Sequence, residues 1–88
     1  MKRLTIKYST KFIRMYDALD SNLQKEVKEK IASFSKIENH KLLKVHKLHG
    51  RFQDCFAFSV NYKFRIVFEY GGKDTVNLLA VGDHAIYQ

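Results

Sequence analysis

Proline and tryptophan are absent from this 88-residue chain, and cysteine occurs once. Without proline there is no polyproline segment or stiff proline-rich spacer, and no linker, repeat or low-complexity stretch interrupts the sequence. Cys55, being alone, cannot close an internal disulfide or share a zinc knuckle. No apolar run nears the roughly 20 residues of a membrane-spanning helix. The opening "MKRLTIKYSTKF" carries basic residues but no apolar stretch or small-residue cleavage site after them, so no signal peptide is read there. These absences lead to the expectation of a cytoplasmic protein with no membrane partner. Acids are scarce too: 9 Asp and Glu stand against 16 Lys and Arg, a net charge of +7. Such a surface favours an anionic partner without choosing among nucleic acid, an acidic protein or an anionic membrane, the last being the weakest candidate.

A chain of 88 residues has room for a single domain, here expected over 1–88, with one layer of helix on one sheet. Its core must be lean, and 7 phenylalanines and 5 tyrosines supply much of it. In "RLTIKY" (3–8), Leu4, Ile6 and Tyr8 alternate with Arg3, Thr5 and Lys7, the period of a half-buried strand. Ser9 and Thr10 then offer N-cap hydroxyls to a short helix carrying Phe12, Ile13, Tyr16 and Leu19. A second helix is predicted from "DSNLQKEVKEKIASFSKI". Ser21 and Gln24 have capping-box spacing, Leu23, Val27, Ile31 and Phe34 make one apolar stripe, and Glu26 and Lys30 are spaced for an i,i+4 pair on the solvated face. After a basic connection, "CFAFSV" and "FRIVFEY" alternate as strands joined by the short turn "NYK". Gly71-Gly72 opens the next turn, and "TVNLLAVG" reads as a central strand covered on both faces. The expected architecture is α+β, in the order β-α-α-β-β-β, with two helices packed on a largely antiparallel four-stranded sheet.

Chemistry-bearing residues gather in two places and at one isolated position. The connection from 36 to 51 holds His40, His46 and His49 with Lys36, Lys41, Lys44, Lys47 and Arg51, and only one acid, Glu38. A solvated basic loop and an anion-binding surface are both compatible with that composition. A metal site is disfavoured, because the lysines repel a divalent cation and no cysteine lies nearby. Arg65 sits mid-strand among Phe64, Ile66 and Val67, where a guanidinium must find an anion or water. It can pair with Glu69, Asp54 or Asp83, or it can point off the sheet toward a phosphate, which its planar donors fit. At the end of the chain His84 and Tyr87 follow the most apolar strand, either as a frayed end or as groups aimed by a rigid element.

In this order the pieces resemble the RelE/ParE toxin superfamily of bacterial type II toxin–antitoxin systems, and more closely its RelE-like mRNA interferase branch. The resemblance spans nearly the whole chain and rests on "HKLHG" (46–50), "FAFSVNYKFRIVFEY" (56–70) and "VGDHAIY" (81–87). It implies a ribosome-dependent endoribonuclease that uses no metal or other cofactor. Such an enzyme cuts mRNA in the ribosomal A site by making the ribose 2′-hydroxyl attack the adjacent phosphodiester. The partners it implies are mRNA with ribosomal RNA around it and a cognate antitoxin, bound as a helix in a groove or a strand on a sheet edge. By position the resemblance makes Arg65 the contact to the scissile phosphate, His84 and His46 acid–base groups, and Tyr87 the terminal aromatic. Lys44, Lys47, His49 and Arg51 would hold RNA phosphate. No glutamate stands just before "HKLHG", which moves weight from a glutamate base to His46 or His84. The alternatives are a ParE-like, non-catalytic poison of DNA gyrase and an inactive basic RNA-binding relative.

Overall fold

The computed structural model describes residues 4–36, 44–50 and 53–83. His84, Tyr87 and Arg51, and with them His40 and Lys41, lie outside these described residues. The elements run β1 (Thr5–Tyr8), α1 (Thr10–Asp17), α2 (Ser21–Phe34), β2 (His46–Lys47), β3 (Phe56–Ser59), β4 (Arg65–Gly72) and β5 (Thr75–Gly82).

Alternation turns one side of β1, β3, β4 and β5 inward, and α1 and α2 cover that side. Phe58, Ile66, Phe68, Val76, Leu78 and Val81 meet Phe12, Val27, Ile31 and Phe34 in one buried cluster. Phe34 stacks on Phe58 with ring centroids 4.3 Å apart and an interplanar angle of 9°, and lies 4.8 Å from Phe68. Phe68 in turn meets Phe56 and, edge-on at 87°, Tyr70. Aromatic rings thus supply the area that so short a chain cannot find in aliphatic side chains.

The sheet has the order β1-β5-β4-β3-β2, with β1 parallel to β5 and every other pair antiparallel. The expectation of four strands is corrected to five among the described residues. The extra strand, β2, is two residues long with both side chains exposed, so it carries no alternation to read; pairing with β3 alone makes it a strand. β5 is an interior strand as expected, between β1 and β4, with a register shift opposite Val67/Phe68.

Capping ties the helices to the sheet and to each other. Ser9 caps α1, its Oγ accepting from the Phe12 N–H at 2.9 Å and donating to the Leu79 carbonyl at 3.1 Å, where β5 is irregular. For α2 the cap is Asp20, whose Oδ1 accepts from the Leu23 N–H at 2.8 Å, and not the Ser21–Gln24 box. Gln24 is used elsewhere: its Nε2 donates to the Tyr16 carbonyl at 2.9 Å and locks α1 against α2. In the β4–β5 turn, Gly72 takes φ +136° and Asp74 φ +58°. At Gly71 a Cβ would lie 2.5 Å from the Asn77 amide nitrogen, so that side chain would have to shift to admit one.

Candidate functional site

The side of the sheet away from the helices is built from the odd positions of β3 and β4. Cross-strand pairing lines up His46, Ala57, Val67 and Ala80 in one row. The next such row toward the β3–β4 turn is Ser59, Arg65 and Gly82. Residues two apart in a strand share a face, so Arg65 and His46 emerge on the same side. With two strand spacings and two residue rises between them, their Cα atoms lie about 12 Å apart. Ala57 and Val67 lie between them and Ala80 continues the row on β5, all three apolar and buried. Gly82, directly across from Arg65, adds no side chain over the guanidinium.

Arg65 is half-buried, and its Nη1 donates to the backbone carbonyls of Asn61 at 2.7 Å and Phe64 at 3.2 Å. Anchoring through carbonyls holds the group without neutralising it, and the bonds made by Nη1 do not use the donors on Nη2 and Nε. The carboxylate of Glu69, an expected partner, instead accepts from Asn77 Nδ2 at 3.2 Å, its cross-strand neighbour. A planar cation fixed in this way suits an oxyanion, above all a phosphate.

His46 is exposed, and its Nδ1 lies 3.0 Å from the Lys44 carbonyl oxygen. A carbonyl only accepts, so Nδ1 carries the hydrogen, and in the neutral ring Nε2 is left with the lone pair of a base. Lys44 takes φ +58°, in the left-handed region that costs a residue with a side chain ~1 kcal/mol. The strain sits in the residue whose carbonyl sets the tautomer of His46.

The other expected residues divide. Lys44, Lys47 and His49 are exposed around β2, with Lys47 on the opposite side from His46 because it pairs with Phe56. They form a basic margin beside the Arg65–His46 face rather than a converging set. No cluster of three metal-binding side chains occurs among the described residues, and none of the described helices is long and apolar enough to cross a membrane.

Three features escaped the sequence reading. Asn61 organises the β3–β4 turn, which an asparagine opening a short turn could have signalled. Cys55 precedes β3, and burial, then the Glu69 and Asp54 carboxylates, push its thiol above the ordinary value, so at neutral pH it is a thiol and not a nucleophilic thiolate. On the helix side Tyr8, Phe12, Ile13, Tyr16, Lys28 and Ile31 line an apolar groove, with Tyr8 and Ile13 about half exposed.

No protein-family model matches the sequence, and no curated protein matches it either. Solved structures do match in fold. A chain of the toxin–antitoxin complex RelBE2 from Mycobacterium tuberculosis superposes with a TM-score of 0.73 at 18% identity, covering 93% of this chain and 99% of that one. A chain of the YoeB–YefM complex from Staphylococcus aureus gives 0.71 at 17% identity, with 93% and 98% covered. YafQ from Escherichia coli gives 0.69 at 14% identity, with 97% and 98% covered.

Proposed function

We propose that this chain, which has the fold of the RelE-like toxins, is the toxin of a type II toxin–antitoxin system and a ribosome-dependent mRNA endoribonuclease. The observation that carries the reading is the pairing, on one face of the sheet, of a carbonyl-anchored guanidinium with a histidine whose free ring nitrogen is a base.

The chemistry needs no external nucleophile. His46 Nε2 takes the proton of the ribose 2′-hydroxyl, the oxygen attacks the adjacent phosphorus, and Arg65 stabilises the extra negative charge on the phosphoryl oxygens. As the bond from phosphorus to the 5′-oxygen breaks, that oxygen takes a proton from an acid. The products are a 2′,3′-cyclic phosphate and a 5′-hydroxyl. The resemblance implies His84 as that acid and Tyr87 as the aromatic beside it, with Arg51, Lys44, Lys47 and His49 holding flanking phosphates. The same cations supply the attraction to ribosomal RNA, and a metal ion has no required part.

The partner in this reading is an acidic antitoxin. The groove between α1, α2 and β1 supports a helix-in-groove mode, since it is apolar and has Lys28 in its lining. Its occupant would be an amphipathic helix with acids beside its apolar stripe, complementary to the net charge of +7.

The test uses purified protein with ribosomes paused on a defined mRNA. Cleavage confined to the A-site codon, lost in both Arg65→Ala and His46→Ala, is the expected result. Intact mRNA together with inhibition of gyrase supercoiling would replace this reading with that of a gyrase poison.

A further inference from the structure

Asn61 spends every polar atom of its side chain on one task. Its Oδ1 accepts from the backbone N–H groups of Lys63 at 2.9 Å and Phe64 at 2.8 Å, closing the β3–β4 turn over itself. Its Nδ2 donates to Glu26 Oε1 on α2 at 2.8 Å, a bond spanning 35 residues of sequence. With the side chain held at both ends, the Asn61 carbonyl is directed at Arg65 Nη1, 2.7 Å away. One carboxylate oxygen of Glu26 is thereby committed to Asn61.

We infer that Asn61, clamped by Glu26, is the positioning residue for the Arg65 guanidinium, so that a helix on one side of the sheet fixes the anion-binding group on the other. The inference rests on the proposed role of Arg65 in holding RNA phosphate. A turn of this length needs only the Oδ1 contacts to close. The additional bond to Glu26 fixes the orientation of the amide, and with it that of the carbonyl facing Arg65. Releasing it lets the peptide plane turn and returns rotamer freedom to a side chain with four rotatable bonds.

The experiment compares Asn61→Ala, Asn61→Asp, Glu26→Ala and Glu26→Gln in the full chain. Asn61→Asp keeps the turn-closing acceptor but sets a carboxylate against Glu26. Glu26→Gln keeps an acceptor for Asn61 Nδ2. The first readout is the Nε–Hε NMR signal of Arg65, identified by its loss in Arg65→Ala. It is expected to be distinct in the wild type, to collapse toward the averaged arginine position in Asn61→Asp and Glu26→Ala, and to be largely recovered in Glu26→Gln.

The second readout is the affinity for a short single-stranded RNA at fixed salt. Asn61→Ala should weaken binding about tenfold when Arg65 is present and not at all in an Arg65→Ala background. An Arg65 signal unmoved by Glu26→Ala and Asn61→Asp, or equal weakening in both backgrounds, would overturn the inference. If Arg65→Ala alone leaves RNA binding and cleavage intact, the role proposed for Arg65 fails, while the NMR comparison still decides whether Asn61 positions it.

Discussion

On the face turned to the helices, β3 and β4 present Phe56, Phe58, Ile66 and Phe68; on the other face the same two strands present Ala57, Ser59, Arg65, Val67 and Glu69. The first set is large, apolar and interlocked with Phe34, and its members lose most when the fold is lost. The second is small at its centre, polar at its ends, and continued by His46 on β2. Alternation within a single pair of strands therefore separates the large buried rings from the residues of the proposed site. Changes at Ile66 and Phe68 should be felt in unfolding, and changes at Arg65 in the proposed action on RNA.

The largest expected effect breaks the first face. Phe34→Ala removes a ring stacked on Phe58 and tilted against Phe68, and should cost about 3–5 kcal/mol in urea unfolding. A cost below about 1 kcal/mol would mean that the rings are not the core's main support. Next, Arg65→Ala should lower ribosome-dependent cleavage by about 10²–10³-fold, as loss of one preorganised oxyanion donor does elsewhere. Its unfolding midpoint should stay near that of the wild type, and a parallel collapse of both would erase the distinction between the faces. His46→Ala should lower cleavage by about 10²-fold, the size of one acid–base contribution, again with stability retained.

A smaller effect comes from salt. Binding to RNA should weaken linearly on a log–log plot with a slope of about −0.7 for each phosphate contacted, and that slope should shrink in Lys47→Ala. The smallest belongs to Cys55. Its raised pKa favours the neutral thiol in the folded state, so this contribution to stability is fully present below the ordinary thiol pKa and is lost as pH rises through the raised value. Accordingly, alkylation at pH 8 should be slow in the native protein and faster once urea unfolds it.

Much of the first face was legible in the sequence. The strand alternation of β1 and β4, the stripe of Val27, Ile31 and Phe34, and the Ser9 cap depend on neighbours within a few residues, and all recur in the structure. What could not be read depends on pairing between distant segments. β2 has no pattern of its own and exists through His46↔Ala57 and Lys47↔Phe56. Asp20 rather than Ser21 caps α2 because Gln24 is taken by the Tyr16 carbonyl, a choice made by helix–helix packing.

For Arg65 the sequence left a carboxylate partner and an outward phosphate equally open. The turn carbonyls of Asn61 and Phe64 hold it by a third means that no charge pattern signals. The resemblance implied His46 as an acid–base group; only the strand register places it on the face of Arg65 and puts Lys47 on the other.

The most direct test of the division between the faces, and of the chemistry assigned to the second, uses ribosomes paused on an mRNA bearing one 2′-deoxynucleotide at the A-site cut position. The wild-type protein should cut the all-ribose message to a 2′,3′-cyclic phosphate and leave the deoxy message whole, while folded Arg65→Ala cuts neither. Equal cutting of both messages, or wild-type rates from Arg65→Ala, would contradict 2′-hydroxyl attack on a phosphate held by Arg65.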